Sequence, residues 1–174
     1  MMQKFLTICS SYLEANQHGK VIKCCDDYLS MEPKSGLAWH LKGIAHQKQG
    51  QIGKADECFR KAIEIDEGEP ANYRALGVLF YNSKKYEEAL ILFHISNFLA
   101  PKVDHQFMIV ISNLMLKRPE AASLAMRAAL TMDKKKTAGL AKQFFDKFYK
   151  DDNGIPEEDK KALKEQIDNL LESK

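Results

Sequence analysis

Apolar and small side chains between Gly36 and Pro101 follow a pattern that repeats after 34 residues. The paired positions are Trp39 with Tyr73, Gly43 with Gly77, Gly50 with Lys84, Ala55 with Ala89, Phe59 with Phe93, Ala62 with Ser96, and Asp66 with Ala100. In every pair but the last, the two residues are similar in size or stand at equivalent turns. At the last pair the chain leaves the repeat. Self-similarity of this period is the sequence signature of stacked helix pairs, so the pattern predicts an all-α fold.

In the copy that starts at Gly36, small residues stand at the eighth, twentieth and twenty-seventh positions, and an aromatic residue stands at the twenty-fourth. These residues are Gly43, Ala55, Ala62 and Phe59, and the next copy carries Tyr73, Leu76, Gly77, Phe80, Tyr86, Ala89, Phe93 and Pro101. The pattern resembles the tetratricopeptide repeat, a helix–turn–helix unit. Antiparallel helices approach closely only where one presents Gly or Ala, and the aromatic ring fills the space beside that contact. The resemblance implies a right-handed superhelical stack of such helix pairs.

The same register extends over the whole chain and predicts a single domain, residues 1–174. The predicted repeats are about 2–35, 36–69, 70–103 and 104–136, followed by a degenerate capping helix pair at 137–174. The fourth repeat fits if one residue has been lost from its turn at Lys117 and Arg118. Its first helix, about 105–116, is apolar nearly all round, which predicts a helix that is buried on most sides or faces a partner.

Two helices are predicted in the tail. An apolar stripe of Leu140, Phe144, Phe145 and Phe148 predicts the first of them. Pro156 and the acidic residues after it are typical of a helix start. Leu163, Ile167, Leu170 and Leu171 then predict an amphipathic helix. This pair is expected to cap the last repeat.

Composition and charge narrow the function classes. A chain with 45% apolar and 29% charged residues is ordinary for a globular protein, and a net charge of +2 makes no case for nucleic acid. No apolar run has the length of a signal peptide or a membrane span, so a reduced, cytoplasmic location is expected. Residues 117–150 carry +6 and residues 151–174 carry −4. These segments are expected to pair with each other, and the alternative is an acidic partner for the basic segment.

No pattern indicates catalysis, a metal or another cofactor. Adjacent Cys24 and Cys25 point about 100° apart on a helix and cannot easily chelate one ion, and all four cysteines are predicted to be buried small hydrophobic residues. The histidines have no zinc-ligand spacing, and His46 replaces a packing aromatic residue. A calcium loop at 151–154 is rejected because Tyr149 and Lys160 would stand at its first and twelfth ligand positions. An enzyme is therefore not expected.

The resemblance also implies a binding surface, because the first helix of each repeat lines the concave face of such arrays. Carried over position by position, this face holds the predicted groove residues. They are Leu6, Ser10, Leu13, His40, Ile44, Gln47, Arg74, Val78, Tyr81, Met108, Ser112 and Met115. Arg74 alone does not form the Lys, Asn and Arg clamp with which some family members hold a terminal carboxylate.

The predicted function is therefore a non-catalytic protein–protein interaction module, adaptor or chaperone-like, that binds a segment of another protein in the groove. One alternative is a type III secretion chaperone of the translocator-binding type. Another is a homo-oligomeric scaffold that self-associates through the apolar first helix of the fourth repeat. If the groove does not hold a segment of another protein, it is expected to be filled by the tail helices or by a second copy of the chain.

Overall fold

The computed structural model describes residues 2–150 and 157–172, without some side chains of the last two helices. The described residues form ten α-helices and no strand, which confirms the predicted all-α fold. The chain divides into two compact units, Met1–Leu99 and Ala100–Lys174, called here the N-terminal and C-terminal units. The organisation as a single domain stays a prediction.

The N-terminal unit consists of three helix pairs. They are α1 (Met2–Glu14) with α2 (His18–Met31), α3 (Gly36–Lys48) with α4 (Ile52–Ile65), and α5 (Pro70–Asn82) with α6 (Tyr86–Leu99). Side chains at the helix starts satisfy free backbone donors. The Ser35 hydroxyl accepts from the Ala38 N–H at 3.3 Å, and the Glu69 carboxylate accepts from the Ala71 N–H at 3.0 Å.

Each of the last two pairs closes around a glycine and a phenylalanine. A Cβ atom added at Gly43 would lie 2.6 Å from Cε1 of Phe59, and one added at Gly77 would lie 2.6 Å from Cε1 of Phe93. Both phenylalanine side chains are fully buried. The close approach predicted from the repeat pattern is therefore confirmed, and it occurs twice at the same register.

Two apolar clusters join the pairs of the N-terminal unit. Around the stacked rings of Phe5 and Tyr28, whose centroids are 4.1 Å apart, a cluster links α1, α2 and α3. Another links α4 to α5 and is built on Phe59 and Leu79. His46 is buried, and its Nδ1 donates to the side-chain oxygen of Gln51 at 2.6 Å. The packing role predicted for His46 is confirmed.

The C-terminal unit contains α7 (Val103–Met115), α8 (Pro119–Met132), α9 (Lys134–Lys150) and α10 (Glu157–Glu172). Of the two alternatives predicted for α7, burial is the one found. Its buried residues are Val103, His105, Phe107, Ile109, Val110, Ile111, Ser112 and Asn113. A helix buried to this extent does not present the apolar surface that the scaffold alternative requires of it.

One residue of the repeat is lost, but not at the predicted place. The turn inside each helix pair has the same length, and its left-handed residue is Asn16, Gly50, Lys84 or Lys117. The connection between successive pairs shortens from four residues, 66–69, to three residues, 100–102. The deletion therefore precedes α7, and every position of α7 moves by one relative to the predicted register.

The start of α9 is fixed by side chains. The Asp133 carboxylate accepts from the Lys136 N–H at 2.9 Å, and the buried Thr137 hydroxyl donates to the carbonyls of Asp133 and Ala129. Phe144 packs edge-on against Phe107, with ring centroids 6.3 Å apart. The side chains of Phe145 and Phe148, the apolar face of α10 and the rejected calcium loop lie outside the described residues. The capping role of this pair stays a prediction.

Candidate functional site

Nine of the predicted groove residues belong to the first helices of the N-terminal unit, α1, α3 and α5. We call this set the first-helix face. Ser10 and Arg74 are exposed, and the other seven are half-buried. Those seven are Leu6, Leu13, His40, Ile44, Gln47, Val78 and Tyr81. Half-buried apolar groups of this kind are held by the core on one side and remain accessible on the other.

On α1, Leu6 and Leu13 pack against the first apolar cluster, which fixes their positions. Ser10 lies between them in sequence and is exposed. A shallow depression of about 440 Å³ follows this side of the helix, and it is lined by Gln3, Leu6, Thr7, Ser10, Ser11 and Glu14. Five of its six lining residues carry polar side chains, so this end of the face offers hydrogen bonds beside the apolar surface of Leu6.

His40 connects α3 to α5 directly. Its Nδ1 lies 2.8 Å from the side-chain oxygen of Asn72, whose amide nitrogen donates to the Ala62 carbonyl at 3.2 Å. Since the Asn72 oxygen must then accept, Nδ1 of His40 carries the proton and Nε2 is left as an acceptor. Burial lowers the pKa of His40, and the nearby Arg74 guanidinium lowers it further. The ring is therefore neutral at physiological pH and can accept a hydrogen bond.

Arg74 lies on α5 close to this ring and is the only cation among the nine residues. Its guanidinium forms no ion pair within the part of the chain that the structure describes. Guanidinium groups bind carboxylates and carbonyl oxygens in a fixed planar geometry. His40 and Arg74 together thus offer one acceptor and several donors beside the apolar positions.

Tyr81 ends the face at the last turn of α5. Its ring packs edge-on against Tyr86 at the start of α6, with centroids 5.3 Å apart. Burial raises the pKa of Tyr81, and the neighbouring Tyr86 contributes in the same direction. The ring is therefore neutral and held in one place, as an anchor for a partner requires.

The three predicted groove residues of the C-terminal unit are affected by the shifted register. Met108 and Met115 are half-buried on α7. Ser112 is fully buried, and its hydroxyl donates to the Met108 carbonyl at 2.8 Å. The assignment of Ser112 to a binding surface is wrong, because the lost residue places it at the register of the core residue Leu79.

A pair of cysteines forms a second feature, which the sequence reasoning missed. The Cys9 thiol donates to the sulfur of Cys24 across the α1–α2 contact, at 3.4 Å. Cys9, Cys25 and Cys58 are buried as predicted, but Cys24 is half-exposed, so the prediction that all four are buried is wrong. The 34-residue repeat could have indicated this pair. Cys9 stands at the repeat position that Gly43 occupies in the second repeat, and Cys24 directly precedes the repeat position of Phe59.

Among the described residues, no three His, Cys, Asp or Glu side chains come together as metal ligands. None of the helices in the described ranges is long and apolar enough to cross a membrane.

Comparison with known proteins identifies the repeats. Two family models, both of the tetratricopeptide repeat, match residues 36–68 and 75–102. No curated protein sequence matches the chain significantly.

Among solved structures, MamA from Desulfovibrio magneticus RS-1 superposes with a TM-score of 0.71 and 17% identity, over 98% of this chain and 93% of that chain. A chain of the Naa15/Naa10 complex bound to HypK-THB matches with a TM-score of 0.67 and 15% identity, over 88% of this chain and 26% of its own. The O-GlcNAc transferase of Thermobaculum terrenum matches with a TM-score of 0.64 and 23% identity, over 75% and 26%. Identities this low show a shared fold only.

The family models and the repeated glycine–phenylalanine contacts agree in register, since Gly43 and Phe59 lie in the first match and Gly77 and Phe93 in the second. Residues 36–68 and 75–102 of the chain are therefore tetratricopeptide repeats, which form protein–protein interaction modules.

Proposed function

We propose that the chain is a non-catalytic, cytoplasmic adaptor or chaperone-like protein that holds a segment of another protein against the first-helix face. The observation that carries this proposal is the combination found on α3 and α5. Half-buried Ile44, Val78 and Tyr81 offer apolar contact, and His40 and Arg74 offer polar contact beside them.

This combination suits an extended or helical segment with apolar side chains. Binding energy in protein interfaces is concentrated in a few anchors, of which Tyr and Arg are among the most frequent. Apolar groups of the segment would pack on Tyr81 and Val78. A carboxylate or a backbone carbonyl would accept from Arg74, and a backbone N–H would donate to Nε2 of His40. Apolar burial thus supplies affinity, and the polar pair supplies orientation.

The proposal is tested by comparing partner capture across matched variants of the full chain. Arg74→Glu reverses an exposed charge and should leave the fold intact, and Tyr81→Ala removes the proposed anchor. Glu57→Ala, on the exposed side of α4, is the control. We expect one set of proteins to be retained by wild type and Glu57→Ala and lost from both face variants, with the helicity of all four chains unchanged. Retention by all four chains would exclude the first-helix face.

The chaperone role and the adaptor role are separated by co-expression. A chaperone would keep an otherwise insoluble partner in solution, as the type III secretion alternative also requires, whereas an adaptor would leave the partner's solubility unchanged. The partner's own solubility without this chain is the reference.

A second candidate function, self-association, is favoured by the outer side of α6. Phe98 and Ile91 are 86% and 60% exposed. At the same repeat positions, 34 residues earlier, α4 carries Glu64 and Glu57. Light scattering across a concentration series should then show dimers of the wild-type chain, and these dimers should be absent from the double variant that combines Ile91→Glu with Phe98→Glu. Leu124→Glu, which removes a side chain that is 73% exposed on α8, is the control and should behave as wild type.

A further inference from the structure

The two helices of the first pair bring two thiols into contact at the edge of an open cavity. Cys9 lies on α1 and Cys24 on α2, and their sulfur atoms are 3.4 Å apart. We propose that this pair is a peroxide-sensitive site, at which hydrogen peroxide converts the two thiols into an intramolecular disulfide.

The distance is short enough for the bond. A disulfide requires sulfur atoms about 2.05 Å apart, so the two atoms must approach by roughly 1.4 Å. Rotation of the two side chains about their Cα–Cβ bonds moves sulfur over this range. Since the two thiols already contact each other, bond formation needs no separation of α1 from α2.

Exposure assigns different roles to the two thiols. Cys24 is half-exposed and lies on the wall of a cavity of about 530 Å³, together with Lys4, Lys20 and Lys23. Cys9 is fully buried behind it, and burial raises the pKa of its thiol. Peroxide in solution therefore reaches Cys24 first, and Cys9 is the thiol that completes the disulfide.

The chemistry balances in two steps. The Cys24 sulfur, as thiolate, attacks one peroxide oxygen, the O–O bond breaks, and the departing hydroxide takes up a proton to form water. The Cys9 sulfur then attacks the resulting sulfenic sulfur of Cys24, the S–O bond breaks, and the hydroxide that leaves takes the Cys9 proton. Two thiols lose two electrons in total, and one peroxide is reduced to two waters.

Cys25 is the competing partner. It follows Cys24 in sequence and also interacts with Cys9, but it is fully buried, and burial raises the pKa of its thiol to about 12. Peroxide does not reach either buried thiol directly. The first oxidation must therefore occur at Cys24, and Cys9 is the thiol whose hydrogen bond to Cys24 is already formed.

The disulfide would fix the first helix pair. It closes a loop of the unfolded chain between α1 and α2, which lowers the entropy of the unfolded state and raises the urea midpoint. It also fixes α1, which carries Leu6, Ser10 and Leu13 of the first-helix face. The proposal does not depend on that face binding a partner.

The test uses the full chain, reduced and then freed of reductant. After treatment with hydrogen peroxide, remaining thiols are alkylated and the protein is digested with trypsin without reduction. Cys24 and Cys25 fall in the same tryptic peptide, 24–34, so variants are needed to separate them. We expect a cross-link between the Cys9 peptide and peptide 24–34, two hydrogen atoms lighter than the sum of the two, that dithiothreitol reverses.

The cross-link should persist in Cys25→Ala and Cys58→Ser and disappear in Cys24→Ser, a substitution at a half-exposed position. The wild-type urea midpoint should rise on oxidation, and that of Cys24→Ser should not. A cross-link that survives in Cys24→Ser would assign the bond to Cys25 and overturn the proposal. The proposal would also be overturned if peroxide oxidised Cys24 to a sulfinic acid without a disulfide, or if Cys24 formed a disulfide between two chains.

Discussion

At Gly77, a Cβ atom would lie 2.6 Å from Cε1 of the buried Phe93 ring. Gly77→Ala forces either the ring or the helix to move, and we expect a loss of roughly 1–3 kcal/mol in the free energy of unfolding. The matched control is Gly53→Ala, because an added Cβ atom at this helical position meets nothing within 4 Å. Because Gly53 lies in the first turn of α4, alanine there should stabilise by at most about 0.5–1 kcal/mol. Urea unfolding measures both, and equal effects would contradict the packing described here.

Also at the residue scale, the lowered pKa of His40 makes stability depend on pH. Below about pH 6.5 the unfolded chain binds a proton on this histidine that the folded chain does not. The stability that its neutral form contributes is fully present above that pH, and it decreases as pH falls through the lowered pKa of the folded state. Urea midpoints of wild type should therefore fall more steeply than those of His40→Gln between about pH 7 and pH 5.5. Parallel curves would contradict this assignment.

At the element scale, the helices and their close contacts could be predicted because Gly, Ala and Phe have fixed roles at fixed positions. The register of α7 could not. Nearly every position of that helix is apolar, so a shift by one residue, about 100° of rotation, leaves its pattern almost unchanged. Only the length of the connection 100–102 reveals the shift, and the sequence does not mark where a helix connection loses a residue.

The turns give a prediction at the same scale. Gly50 and Lys84 stand at equivalent positions, with φ angles of 72° and 60°. A side chain in this left-handed region costs about 1–2 kcal/mol, whereas glycine adopts it freely. Lys84→Gly should therefore raise the free energy of unfolding by up to about 1 kcal/mol, and Gly50→Lys should lower it by a similar amount. Changes of the same sign in the two variants would show that the equivalence of the turns is wrong.

At the scale of the whole molecule, the sequence was sufficient for the family and for the class of function, since both depend on repeated positions. It was less informative where single residues depart from the repeat. The contact of Cys9 with Cys24 arises where the first repeat replaces glycine by cysteine. The burial of Ser112 arises from the lost residue. The identity of a partner depends on exposed side chains such as Arg74, which no repeat pattern constrains.

The two compact units also divide the predicted groove, with nine residues in the N-terminal unit and three in the C-terminal unit. If the first-helix face carries binding, the effects of substitution should follow this division. Once a partner segment is in hand, Tyr81→Ala should weaken its affinity by at least about 2 kcal/mol, or roughly 30-fold. Met115→Gln, a half-buried apolar position of the C-terminal unit, is the matched control and should change affinity by less than about threefold. Calorimetry on both full-length variants, with helicity checked by circular dichroism, measures the difference. A loss in Met115→Gln as large as that in Tyr81→Ala would extend the site into the C-terminal unit, and a loss there alone would move it off the first-helix face.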